Sequence, residues 1–166
     1  MKQGVLPLTD SDRKLNTDVF QKVIQTICGI SNNGPGRSGK IIIGVADDET
    51  DAERVRHLDG VDAKEVGGHF VVGVEREAKA LGETPEKYFQ RWRNEIDNSE
   101  LSNSVKSNVL STLDYNSYFG LGLIVISVQS SNELSYVGES LYRRNGDQTE
   151  LVTGARQIAE MAKRFP

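Results

Sequence analysis

The stretch Lys40–Asp48, KIIIGVADD, constrains this chain more than any other. Three consecutive isoleucines run into Gly44-Val45-Ala46 and stop at Asp47 and Asp48, with Glu49 and Asp51 close behind. A short β-branched run bounded by glycine and acid predicts a buried strand, because branched side chains pack well on a pleated surface and lose freedom in a helix. Ahead of it stand an apolar helical pattern and the glycine-rich link Asn32–Gly39, NNGPGRSG. Helix, link and acid-ended strand form the organising unit.

A chain of 166 residues has room for one domain with a real core. Its 37% hydrophobic and 27% charged content excludes disordered and collagenous classes. No apolar run is long enough to span a membrane, and MKQGVLPLTDSDRK at the N-terminus has no apolar export signal. Cys28 is the only cysteine, which excludes an internal disulfide and a cysteine-based zinc site. It sits in an apolar pattern and is expected to be a small core hydrophobe, in a protein of the reducing cytoplasm. His57 and His69 lie twelve apart with no cysteine partner, a poor zinc pattern. The net charge of −4 does not advertise a polyanion partner. The charge is uneven, however: Arg143, Arg144, Arg156, Lys163 and Arg164 enrich the C-terminal segment, whereas the segment Asp47–Asp62 is acidic.

Along the chain, residues 1–17 are expected to be irregular and disordered. A helix is predicted from Asp18, with Asp18 and Gln21 as a capping box and Val19, Phe20, Val23, Ile24, Ile27 and Cys28 on one face. The strand Lys40–Ala46 follows. Residues 47–68 read as a polar loop with a short helical turn near Glu53–Leu58. His69–Val74 has strand character and Glu75–Leu81 helical character. Thr84-Pro85 opens a clearer helix with Tyr88, Phe89, Trp92 and Ile96 on its apolar face, so Trp92 is expected in the core rather than stacked on a base. Leu101, Val105, Val109, Leu110 and Leu113 recur at rough helical spacing. Gly120–Val128 is a second strong strand, Tyr136–Arg144 a further one, and Asn145–Thr149 a turn. A last helix covers Gly154–Phe165, with Thr153 as cap and Ala155, Ile158, Ala162 and Phe165 as its buried stripe. Strands that do not alternate regularly with helices predict an α+β fold, a mixed sheet of about four to six strands with helices packed on it.

Gly34–Lys40, GPGRSGK, matches the spacing of a nucleotide-binding P-loop. Ile41 nevertheless stands where magnesium needs a hydroxyl, and the loop follows a helix and opens a strand, the reverse of the order that aims a helix N-terminus at phosphate. The segment is expected to be a link whose Arg37 and Lys40 can touch a phosphate backbone.

The segments Ile27–Asn33, Gly39–Asp48, Leu123–Ser130 and Tyr142–Thr149 together resemble the Schlafen AlbA-like domain, also called the divergent-AAA-associated DNA-binding domain. The likeness follows the order of elements from residue 18 to the end as a single domain 1–166, with 49–117 as an insertion. The resemblance implies nucleic-acid binding (DNA or RNA), as a module of a bacterial regulator or defence protein, transcriptional regulators included. In some relatives the domain is a metal-dependent endoribonuclease, with two glutamates ahead of the first helix and an aspartate after the Gly-Val strand. Asp47 matches that aspartate, but the first glutamate here is Glu49, and only Asp10 and Asp12 precede the helix.

The expected function is therefore non-catalytic binding of a phosphate backbone by Arg37, Lys40, Arg143, Arg144, Thr149 and Arg156, with no cofactor. Arg144 matches the arginine of the family's Arg-x-Gly step, and arginine suits bidentate phosphate contact. Adjacent strand residues face opposite sides, so only one of Arg143 and Arg144 can point to a given ligand. Arg156 also suits a plain surface role on the last helix. One alternative is a ribonuclease using Asp47, with Asp48 as a further ligand to magnesium or manganese; the plain alternative for both is a solvated strand-end turn. Another is a scaffold or oligomerisation domain without a ligand. Expected partners are nucleic acid, a further copy of the chain or the rest of a larger multidomain protein, and no membrane.

Overall fold

The computed structural model describes residues 1–166. The chain is α+β: α1 (Thr17–Ser31), β1 (Ser38–Ile43), β2 (Val45–Ala46), α2 (Glu49–Asp59), β3 (Lys64–Val66), β4 (His69–Val71), α3 (Glu75–Ala80), α4 (Pro85–Asp97), α5 (Asn103–Thr112), β5 (Asp114–Tyr118), β6 (Leu121–Gln129), β7 (Leu141–Asn145), β8 (Gln148–Val152) and α6 (Ala155–Ala162). The strands divide into three small sheets, β1-β6-β5, β2-β4-β3 and β7-β8, where one sheet was expected. The chain separates into two compact units, the first comprising Met1–Val19, Ile41–Trp92 and Asp114–Val125, the second Phe20–Lys40, Arg93–Leu113 and Ile126–Pro166.

In the first unit the expected strand Lys40–Ala46 is broken at Gly44, which has φ +104°. A Cβ at Gly44 would sit 3.0 Å from the Gly122 carbonyl oxygen and 3.0 Å from a Leu123 methyl carbon, so glycine is required by conformation and by space. The bend sends β1 to one sheet and β2 to another. Residues 47–68, expected as loop, are largely α2. Asp48 is its N-cap, with its carboxylate accepting from the Asp51 N–H at 2.8 Å, and Gly60 closes it in the left-handed region at φ +67°. Only Ala52 and Val55 of this helix are buried, so it carries little apolar period; they pack with Ala46 and Val72.

Residues 1–17 are not disordered. Val5 and Leu6 are buried, and their N–H groups donate to the Glu77 carboxylate at 2.8 and 2.9 Å. The Tyr88 hydroxyl also donates to Glu77. Beside it the buried Arg76 donates to Asp59 at 2.9 Å, and Arg13 forks onto the same carboxylate at 2.6 and 3.1 Å. The carboxylate that anchors the N-terminal segment lies 72 positions from Val5, beyond any local pattern.

Residues 114–118 form β5, whose DYNSY side chains are mostly exposed and lack an apolar alternation. β5 and β6 form a hairpin in which Tyr118 pairs with Leu121, leaving a two-residue loop, Phe119-Gly120, with φ +50° and +76°.

In the second unit α1 buries Phe20, Val23, Ile24, Ile27 and Cys28, as the periodicity predicts. Its start is held by Asn16, whose side-chain oxygen accepts from the Asp18 N–H at 3.1 Å, in place of the expected Asp18 box. The helix continues through Gly29, where a Cβ would lie 3.2 Å from the Arg143 carbonyl carbon, so glycine lets helix and hairpin approach. Asn32 locks the helix end, donating to the carbonyls of Ser135 and Tyr142 at 2.9 Å each and accepting from the Ser135 N–H at 2.8 Å. The β7–β8 hairpin turns on Gly146-Asp147, so strand β8 begins inside the expected turn and the strand expected from Tyr136 begins at Leu141. Leu141 and Val152 pack with Met161, Ile158 and Leu134. On α6, Met161 is the buried residue, Ala155 and Ala162 are exposed, and Gly154 stands at the N-cap without a side-chain bond where Thr153 was expected.

Candidate nucleic-acid interface

The second unit contains Arg37, Lys40, Arg143, Arg144, Thr149 and Arg156. In the β7–β8 ladder Arg143 pairs with Glu150 and Arg144 with Thr149. Strand alternation puts these pairs on opposite faces. On one face Arg143 forms an ion pair with Glu150 at 2.9 Å. Asn145 also donates to Glu150 at 2.8 Å, and the hydrogen bonds from Asn145 and Arg143 hold its carboxyl below the ordinary glutamate value. The charge of Arg143 is thus already matched.

On the other face the half-buried Arg144 donates through Nη1 to the Thr149 hydroxyl at 2.8 Å. That hydroxyl lies 3.0 Å from the hydroxyl of Thr26 on α1. Thr26 in turn donates to the Lys22 carbonyl at 2.8 Å, one turn back along the helix. A neutral hydroxyl thus orients Arg144 where a carboxylate orients Arg143. No carboxylate pairs with this guanidinium, and it has further donors in a fork suited to phosphate.

Arg37 and Lys40 are exposed on and after the glycine-rich link and form no ion pair. The link is itself fastened: the Arg37 carbonyl accepts from the Ser130 N–H at 3.0 Å. Arg164, just past α6, donates to the Asn32 carbonyl at 3.3 Å. The Arg144 Cδ lies 3.4 Å from the place of a Gly29 Cβ, three positions before Asn32. Arg144 and Arg164 therefore flank the C-terminal end of α1, with Arg37 on the segment that leaves it. A helix C-terminus carries partial negative charge and by itself favours such cations. Arg156 is almost fully exposed and pairs with Glu160 one turn on, at 3.2 Å.

Asp47 and Asp48 lie in the first unit. Asp47 is exposed, and Asp48 is engaged as the cap of α2. Burial, then the charges of Asp48 and Asp47, push the neighbouring Asp51 carboxyl above its ordinary value. No group of three or more His, Cys, Asp or Glu side chains is arranged to hold a metal ion. Trp92 is fully buried. Sequence reasoning missed Thr26 altogether: a threonine on the flank of an amphipathic helix gives no sign of a partner 123 positions away.

No helix of the chain is long and apolar enough to cross a membrane. No family model matches the chain, and no curated protein does. Among solved structures, the DIP2311 protein from Corynebacterium diphtheriae is similar, with a TM-score of 0.57 at 15% identity over 99% of this chain and 26% of that one. The chain thus spans about a quarter of that protein's length, and at this identity the likeness is one of fold.

Proposed function

We propose that this chain is a nucleic-acid-binding module, without catalysis of its own, that grips a phosphate backbone through Arg144, Arg37 and Lys40. The observation that carries this is the oriented but unneutralised guanidinium of Arg144, set by Thr149 and Thr26 beside the end of α1. Arg143 and Arg156 are secondary, because carboxylates already engage them. The resemblance to the Schlafen AlbA-like domain implies the same partner, and a module of a larger cytoplasmic protein is the setting we envisage.

Binding of this kind releases counterions, so its affinity falls steeply with salt. Fluorescence anisotropy of labelled RNA and DNA, titrated with the protein between about 50 and 200 mM salt, tests it. Binding that weakens log-linearly with salt supports the proposal. No binding to either polymer at the lowest salt refutes it.

A further inference from the structure

The β5–β6 hairpin tip carries a feature that backbone gripping does not use. Phe119 is 74% exposed, the most exposed large hydrophobic side chain of the chain. It occupies the first position of a two-residue hairpin loop in which both residues have positive φ. Loops of this geometry favour Asn, Asp or Gly, because a bulky side chain is strained there. A phenylalanine at such a position loses on both counts: the turn is strained and the ring stays in water. The ring is nonetheless held in place. Tyr118 and Phe119 form a T-shaped pair, with centroids 4.7 Å apart and planes at 76°, and the Lys64 ammonium lies over the Phe119 ring, 5.8 Å from its centroid.

From this we infer that the hairpin tip is a stacking platform for an unpaired base of single-stranded nucleic acid, with the base on the face of Phe119 that Lys64 does not cover and Lys64, over the other face, the cation for the neighbouring phosphate. The inference rests on the proposed function and narrows it to a substrate class. A nucleotide presents a flat π-face and an anionic group, and the tip presents a flat ring and an adjacent cation. Base–aromatic stacking of this kind tolerates any sequence and requires bases that are not paired.

The test uses the full chain with labelled oligo(U), oligo(dT) and a blunt duplex, and the variants Phe119→Asn and Phe119→Trp. Asn suits the turn, so Phe119→Asn folds and melts at a higher temperature than the parent. It weakens binding to the single strands roughly five- to a hundredfold, leaves duplex binding alone and leaves the salt slope unchanged. Phe119→Trp keeps single-strand affinity within a few-fold of the parent. Comparing oligo(U) with oligo(dT) separates a contact to the RNA 2′-hydroxyl from stacking alone. If Phe119→Asn binds single strands as tightly as a parent that does bind them, the platform is overturned and the phosphate grip stands. If the parent binds nothing, both fall.

Discussion

The hydroxyls of Thr26 and Thr149 meet at 3.0 Å, and Thr149 also accepts from Arg144 at 2.8 Å. A helix residue and a hairpin residue thus fix one guanidinium through neutral oxygen. Replacing Thr149 with Val removes the acceptor and keeps the shape. A net hydrogen bond contributes about 0.5–1.5 kcal/mol. Thr149→Val should therefore weaken nucleic-acid binding about two- to tenfold while the salt slope stays, since the cation remains. Anisotropy titrations at several salt concentrations measure both quantities.

The buried charges of the first unit give a stability prediction. Arg76 and Glu77 have fully buried side chains, and Glu77 holds the backbone of Val5 and Leu6. Removing one partner of such a set leaves an uncompensated charge and costs about 3–5 kcal/mol. Arg76→Met should lower the urea midpoint accordingly. In hydrogen exchange, the amides of Val5 and Leu6 should lose protection before the hairpin β7–β8 does.

Asp59 supplies a pH dependence. Burial raises its carboxyl, but the hydrogen bonds from Arg13 and Arg76 outweigh burial and hold it below the ordinary value. The unfolded chain therefore binds this proton more tightly than the folded one. The contribution to stability is present above the unfolded value of about 3.9 and is lost as pH falls below it through the folded value. Urea unfolding at successively lower pH should show that loss, and Asp59→Asn should be weaker at neutral pH with a shallower acid limb.

Gly44→Ala should destabilise the fold by about 1–3 kcal/mol through backbone strain, with crowding against Gly122 and Leu123 in addition. Thermal melting measures this. The same change at Gly146, also at positive φ but in an open turn, should cost less because nothing lies within 4 Å of the added methyl.

Cys28 is fully buried, and burial pushes its thiol up to about 11. At neutral pH it is a protonated core group, with Sγ 3.2 Å from the Ser135 carbonyl oxygen. A thiol reagent should leave the native protein unmodified over minutes and label one equivalent promptly in urea.

Elements with a strong apolar period were legible in the sequence. The α1 face and the α4 stripe bury most of the residues their spacing predicts, with Val19 and Phe89 half-buried, and β6 forms where the apolar run predicts a strand. What escaped notice has little apolar signal. α2 buries only Ala52 and Val55, β5 exposes nearly all its side chains, and β8 has Leu151 turned to solvent. The break at Gly44 was invisible because nothing local says that Gly122 will come close. At the candidate interface Arg144 and Thr149 could be singled out from the chain. Their coupling to Thr26, and the pairing of Arg143 with Glu150 and of Arg156 with Glu160, depend on hairpin register and helix geometry that residue types alone do not report.

The salt dependence of binding in Arg144→Gln, measured beside Arg156→Gln, tests the central claim most directly. Loss of one phosphate contact should reduce the log–log slope by about 1 for Arg144→Gln, with affinity falling for every sequence alike, while Arg156→Gln stays near the parent. Identical slopes and affinities for Arg144→Gln and the parent would contradict the account.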